Sequence, residues 1–591
     1  MRTMARLFRK PALCAWIVLC ALSAQQVGAP EKDVLLRAMV DELERSRGLR
    51  LANLEAPYYI EYNVEDTFNF SVSASLGAVI STQRSRVRVP RVEVRVGGYE
   101  FDNTNSVFTG IPAGARYDHG RLALDGDYLA LRHQLWLATD HVYKSAVQAI
   151  ARKRAALKNT SVQEQLADFA AAGPVRMLSE QGIRSAQDDS WVRRARSLSG
   201  VFLNFPGVTA SGVDLDVMQS ITYFVNSEGA RVRFPDNLAY LRIRASAQAA
   251  DGMSIRDATV FQSPDPEKMP SEAEMQKGAS EVAENVTALA AAPLGEDYSG
   301  PALIEGIAAA QLFAQTLGAN LGVPRRPVSE GRGFPFAVSE MEGRIGSRVL
   351  PDWMDAVDDP TQAEWRGHTL AGHYPVDMEG VAPLAVTVVE KGSLKGHLLT
   401  RQPVRGSTGS NGHARLPGPF GAKTAGIGNL FLRASETRTG PALRKMLIDL
   451  CRQRGKDYGI IIRKLDFPSS AGQEEVRRLT MGASGRGGGR PISAPVLIYR
   501  VSLDGAEQLV RGLQFRGFST RSLRDIVAAS EDLHVFDFLM NGAPLAAMGA
   551  GSYLAGASVI APSVLFEDMD LERMEGNWPK LPVVPPPGVG R

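Results

Sequence analysis

Histidine is the first residue type to search for hydrolytic or metal chemistry, and the chain has eight: His119, His133, His141, His368, His373, His397, His413 and His534. A zinc site on a helix needs two of them on one face, with a carboxylate beside them to activate water. No two fall at that spacing within a segment that reads as helix. His133 and His141 share a helical stretch but stand eight residues apart, roughly 12 Å along the axis and too far for one ion.

Nucleophile signatures are also missing. There is no Gly-x-Ser-x-Gly elbow and no Ser-x-x-Lys, so Lys423-Thr424-Ala425, close to the Lys-Thr-Gly of serine acyltransferases, has no nucleophile to serve. Of the three cysteines, Cys14 and Cys20 lie in the N-terminal segment and only Cys451 remains. A lone cysteine excludes an intrachain disulfide. Its neighbours Leu443, Leu447 and Leu450 recur at helical spacing, which marks a buried thiol rather than an activated one. The glycines Gly485, Gly487, Gly488 and Gly489 follow no strand and precede no Lys-Ser/Thr, so they read as a loop and not as a phosphate cradle.

The elements that would position any site follow from composition and period. With 591 residues, 44% hydrophobic and 22% charged, the chain can build more than one core, and a net charge of only +3 argues against a nucleic-acid partner. Arg2, Arg6, Arg9 and Lys10 precede an apolar run from Pro11 to Ala24, the pattern of a signal peptide cleaved after Ser23 or Ala24. That run is about 14 residues against the roughly 20 a bilayer requires, so no stable membrane span is expected. Cys20 follows Leu19, not a small residue, which argues against lipid attachment. The expected location is periplasmic or extracellular.

Helical periodicity over Lys32–Ser46 and Tyr128–Lys158 brackets strict alternation in Tyr58–Val64, Arg86–Val89 and Val92–Val96. A hairpin follows around Asn226-Ser227-Glu228-Gly229, with alternating runs near Ala239–Ala245 and Ser254–Phe261. Helices are then predicted over Glu272–Ala292, Ala302–Leu321, Pro441–Arg454 and Thr520–Ala529, among β-branched runs and glycine-rich turns. The fold class is α+β: an N-terminal helix-plus-antiparallel-sheet domain followed by a large antiparallel β-rich domain. The boundaries read as a signal peptide over 1–24, the first domain over 30–205, connecting hairpins and a helix over 206–295, the second domain over 296–572, and a Pro-rich tail over 573–591, extended and unpaired.

Ordered motifs run through that second domain. Tyr298-Ser299-Gly300-Pro301-Ala302-Leu303, Ala308–Phe313, Gly346 and Val357-Asp358-Asp359-Pro360 come first. Pro375–Val381, Lys391-Gly392, Ser407–Gly412, Gly428-Asn429-Leu430 and the helix–strand pair Arg444–Ile462 follow. Together they resemble the C-terminal domain of the TldD/PmbA metallopeptidase family. In catalytic members the helix after the Gly-Pro-x-Leu strand carries HExxxH, with a late cysteine as third zinc ligand. On this chain the resemblance puts the first histidine at Ala314, the glutamate at Gln315 and the second histidine at Ala319, while the glycine remains as Gly318. The region Gly482–Pro491, where the cysteine is sought, has none. Alanine has no lone pair to donate and a glutamine amide is no base near neutral pH. The bland reading of this helix is core packing, through Leu303, Ile307, Ala310, Ala314, Leu317 and Leu321.

The resemblance therefore implies the metal-free, PmbA-like kind of subunit. It implies no cofactor here and zinc only in a homologous HExxxH-bearing partner, the pair acting on unfolded or flexible peptides. Asp358-Asp359-Pro360 reads as a turn with capping carboxylates. His373, Asp377, Glu379, Arg415 and Asn429 are the candidates for a peptide groove, although Asp377 and Glu379 suit a salt-bridged strand end better than catalysis. Two alternatives stay open: a peptidase using His373, Asp377 and Glu379 as a different ligand set, and a free-standing envelope peptide-binding protein.

Overall fold

The computed structural model describes residues 33–50, 54–107, 115–117, 122–158, 166–182, 188–329, 339–417, 423–467, 492–541 and 554–582. The expected signal peptide and the glycine cluster at 485–489 lie outside the described residues.

Alternation in the early sequence becomes two long strands. β1 (Pro57–Ser75) and β2 (Ala78–Val96) pair antiparallel from Pro57 opposite Val96 to Ser75 opposite Ala78. Gly77, at φ 75°, closes the hairpin in a conformation that costs glycine nothing. Period two places Tyr62, Val64, Phe70 and Val72 on one face, all buried under helices. Helix α1 (Val34–Arg47), capped where the Asp33 carboxylate accepts from Leu36 N, and the 30-residue α2 (Tyr128–Leu157) cover one half of it with Leu36, Met39, Leu131, Leu135 and Val142. Helix α3 (Asp188–Gly200) and α4 (Glu272–Ala291), the latter started by a Ser271–Glu274 capping box, cover the other half.

The segment 206–295, expected as a connector, is continuous with this sheet. β3 (Ala210–Asn226) pairs β1 from Glu61 opposite Asn226 to Ala74 opposite Val213. Its far edge is shared between β4 (Arg231–Pro235) and β5 (Leu238–Gln248), and β5 pairs β6 (Ser254–Ser263). Val213, Leu215, Val217 and Val225 could be buried only by completing the same apolar face, a demand that hairpin signals alone do not reveal.

Among the described residues the second sheet has eleven strands and is mixed. β7 (Tyr298–Ile304) lies between β8 (Tyr458–Leu465), parallel to it, and β9 (Leu554–Arg573), antiparallel. The helix expected from Ala302 therefore starts later, as α5 (Ile307–Phe313) after Gly306 at φ 66°. A strand buried on both faces is a continuous apolar run, and period alone does not separate it from a buried helix. The Thr520–Ala529 helix likewise shrinks to a short 3₁₀ turn, Thr520–Asp525, before a strand from Ile526. α5 packs in the main core, and α6 (Gly440–Gln453) closes the opposite face with Leu443, Leu447 and Cys451. Cys451 is fully buried and its thiol is pushed up by burial, as expected of a structural cysteine. Among the described residues the tail forms no strand after Arg573, but Met574 and Trp578 pack against the core under α3 and α4.

The outward face of β1 and β2 is covered too, by loops of the second half of the chain. Glu61 and Glu93 face each other across the two strands, with Arg95 two residues along. Lys423 enters between them, 2.7 Å from Glu93 and 3.5 Å from Glu61. Arg95 bonds Glu93 at 2.6 Å and Asp102 at 2.9 Å. Arg401, fully buried, donates to Glu228 at 2.6 Å and to the Ala170 carbonyl, and its guanidinium lies over Phe169. Burial raises both carboxyls, but Arg95 and Lys423 override it at Glu93 and hold that one down at about 2, while Glu61, farther from the lysine, stays raised. Removing the cation alone would leave two buried carboxyls facing each other. Lys423→Met is expected to cost about 3–5 kcal/mol in urea unfolding, and Lys423→Met combined with Glu61→Gln and Glu93→Gln to recover much of it.

Candidate functional site

The helix expected to carry the metal changes form where the ligands would stand. α5 runs into a π turn over Ala314–Gly318, in which Ala319 N donates to Ala314 O, five residues back. In an α-helix residues five apart point about 140° away from each other, whereas a turn closed by an i to i+5 bond winds more widely and brings them closer to one face. Positions 314 and 319 thus share a face, as two ligands would require. Ala314 is buried and Ala319 half-buried, and neither can coordinate anything.

Gln315 is fully engaged elsewhere. Its Oε1 accepts from Ser493 N at 2.9 Å and Ser493 Oγ at 2.8 Å, and its Nε2 donates to Gln311 O. Gln311 Oε1 in turn accepts from Leu465 N. Two glutamines on one helix therefore hold the end of β8 and the lead-in to strand Pro495–Ser502. Gly318 keeps a packing role, since a Cβ there would meet Ile427 Cδ1 at 3.1 Å. The apolar stripe is buried as the packing reading expects, except that Ile307 is exposed and Leu303 belongs to β7. The residues at 314, 315 and 319 do not fit a zinc ion, and the region searched for a late cysteine falls outside the described residues up to Pro491.

The groove candidates separate into two groups. A cleft of about 1190 Å³ lies between the outward face of β1–β3 and the segment 371–378; His373, Asp377 and Arg415 line it, and Glu379 and Asn429 do not. His373 is exposed, with Nδ1 donating to Pro360 O at 2.9 Å. Arg415 lies 3.8 Å over the Tyr374 ring and donates to Gly556 O at 2.6 Å. Asn429 is buried and donates to Asp359 O and Gln362 O, fastening the 359–362 turn. In that turn Asp359 Oδ1 accepts from Thr361 N, and Asp358 accepts from Gly428 N, the capping roles expected of both.

Asp377 and Glu379 form neither a strand end nor a ligand set with His373. Asp377 Oδ1 accepts from Glu379 N and Val381 N and Oδ2 from Ala414 N, which uses its lone pairs to brace a tight loop. Glu379 is buried behind that loop, with Oε2 accepting from Arg401 N at 2.5 Å and Oε1 unpaired among the described residues. Among the described residues no group of three or more His, Cys, Asp or Glu could hold a metal ion. His368, five residues before His373, instead meets Asp537 at 2.5 Å. Asp537 Oδ1 also accepts from Ser558 Oγ, which itself accepts from Ala371 N. Ser558 is fully buried, so this trio fixes the 368–372 segment at the cleft and presents no nucleophile.

Sequence reasoning missed the cleft floor, formed by Asn63, Glu65, Thr67 and Asn69 of β1 with Arg91 of β2 and Thr222 of β3. Its signal was the polar half of an alternating strand, which ordinarily means a face turned to water. It also missed Asp236, an exposed carboxylate on the cleft wall.

What these elements define is a two-sheet α+β protein with a metallopeptidase-like fold. Residues 299–468 match the PmbA/TldA metallopeptidase C-terminal domain. Over that stretch the chain carries a domain of the TldD/PmbA family. Solved structures extend the likeness of fold over most of the chain. TldE from Thermococcus kodakarensis is 12% identical with a TM-score of 0.54, covering 90% of this chain and 100% of its own. A Thermotoga maritima protein described as a candidate modulator of a DNA gyrase is 15% identical with a TM-score of 0.53, covering 87% of this chain and 96% of its own. A Bacteroides thetaiotaomicron protein of like description is 11% identical with a TM-score of 0.55, covering 93% and 100%. No curated protein sequence matches.

Two outcomes test this geometry. Because the π turn aligns positions 314 and 319, Ala314→His combined with Ala319→His is expected to gain nickel or zinc binding, read as a metal-dependent rise in melting temperature that neither single variant shows. Burial, then Asp377, pushes Glu379 up to about 8, against an unfolded value of about 4.3. The folded state thus holds a proton that the unfolded state has lost, so this group's contribution is complete below about pH 4 and disappears as pH rises through about 8. Denaturation at pH 5.5 and 8 should show Glu379→Gln losing less stability over that interval than the parent protein.

Proposed function

We propose that this chain is the non-catalytic subunit of an exported TldD/PmbA-type metallopeptidase, which shapes the chamber and holds flexible peptide while a homologous HExxxH-bearing subunit supplies the zinc. The observation that carries the reading is the π turn at 314–318: the backbone form suited to paired ligands persists, its ligand positions are alanine, and Gln315 is committed to Ser493. The cleft beside the 371–378 segment supports a peptide-holding role, being larger than the roughly 300–1,000 Å³ of small-molecule pockets. Export rests on the basic-then-apolar pattern of residues 2–24. The alternative ligand set of His373, Asp377 and Glu379 is disfavoured by the backbone hydrogen bonds that occupy Asp377 and by the burial of Glu379.

Mature protein purified from its native host is expected to start near residue 24, to contain far less than one zinc per chain, and to co-purify with a homologue bearing HExxxH. One zinc per chain, lost on His373→Ala, would overturn the non-catalytic reading. Recovery as a lone monomer that binds peptide would favour the free-standing binding protein instead.

A further inference from the structure

We propose that the outer side of helix α2 is a membrane-surface element, which lays the protein on an anionic bilayer without crossing it. The proposal goes beyond the subunit reading above and stands or falls separately from the zinc. Helix α2 turns Leu131, Leu135 and Val142 into the core of the first domain, so its opposite side should be polar throughout. The first half departs from that rule. Leu129 is 73% exposed, Leu137 49% and Trp136 37%, and the His133 ring lies 5.1 Å from that of Trp136. At about 3.6 residues per turn, these four side chains fall within about 100° of the helix circumference. A single exposed leucine is ordinary, whereas an aligned group on a helix already anchored by its other side marks a contact surface.

The kind of surface follows from the charges around the stripe. Lys144 and Arg154 continue the same sector toward the C-terminal end of α2 and Arg152 lies beside it, all three exposed. Asp140 is the one acidic residue of the helix and already pairs with Lys144, while Asp125 and Asp127 stand before its first turn. Of the other cations, Arg132 pairs with Glu42 and Arg154 with Glu55. Helix α1, packed alongside, adds exposed Arg37, Arg45 and Arg47 against exposed Glu44. Leucines and a tryptophan in line with cations match the boundary of an anionic bilayer, where leucine reaches the acyl layer, indole sits at the interface and cations meet lipid phosphates. Because the other side of α2 is buried in the domain, the helix lies along that surface and does not span it.

Position in the chain points the same way. Tyr128, at the start of α2, donates to Asp41 of α1 and lies under Arg37, and Asp33 lines one hollow with Leu124, itself 42% exposed. The leucine end of α2 is therefore where the chain enters the domain. Eight residues separate Asp33 from Ala24, the end of the apolar run, at most about 29 Å of extended chain. A domain delivered by that run meets the bilayer with this face.

The test uses the full mature chain from residue 25 and its sedimentation with vesicles of phosphatidylcholine, alone or mixed with phosphatidylglycerol. Binding is expected on the mixed vesicles, weak on phosphatidylcholine alone, and reduced about tenfold or more as salt rises from about 0.05 to about 0.5 M. Leu129→Ser combined with Leu137→Ser should weaken it about tenfold with unchanged melting temperature, since both side chains are exposed. Brominated acyl chains should quench tryptophan emission in wild type and do so less in Trp136→Phe. Equal sedimentation of wild type and the double variant, or quenching that Trp136→Phe leaves unchanged, overturns the assignment of this face. A wild-type dimer in solution that the double variant dissolves, with no vesicle binding, overturns it in favour of a second copy. None of these outcomes touches zinc content or peptide binding, which test the subunit reading by themselves.

Discussion

Arg401 and Lys423 enter a sheet face that already carries Glu61, Glu93 and Arg95, and without them the folded chain would hold carboxylates out of water uncompensated. The two cations belong to the second half of the sequence and the acids to the first, with Glu228 presented by the loop between β3 and β4. The charge cluster therefore fixes how the sheets face each other. The same outward face of β1 continues from Glu61 into Asn63, Glu65, Thr67 and Asn69, so the clamp at one end sets the opening at the other. The cleft is the part of that face which the clamp leaves uncovered.

The helix at 307–318 is held by packing and by side-chain bonds to strand backbone. Alanine at a buried site carries no desolvation cost, and the two glutamines that remain bind strand backbone at Leu465 and Ser493. The helix serves the core of the second sheet. Its π turn sits against Ile427, which a Cβ at Gly318 would meet at 3.1 Å.

Much of the fold was legible from period alone. The helices at 34–47, 128–157, 272–291 and 440–453 and the β1–β2 alternation appear where spacing and capping residues put them. Less of the candidate site was legible. Asp377 and Glu379 look like a pair on one strand face, yet a loop turns them apart, one bracing backbone and the other buried behind it. Asn429 looks like a groove residue and instead fastens a turn. A side chain's neighbours depend on long-range pairing, which local spacing does not contain.

The sequence by itself determined what chemistry is absent at 314, 315 and 319, because a residue's ability to donate a lone pair or accept a proton belongs to its type and not to its surroundings. It also determined the alternation that makes β1 and β2 strands, since backbone period is local. Only the tertiary structure decided that the polar side of that alternation is enclosed, that Lys423 is a buried counter-ion and no relic of an acyltransferase motif, and that residues 206–263 complete the first sheet. Those outcomes depend on which surfaces meet, and burial converts the same residue from a solvated group into one that must find a partner.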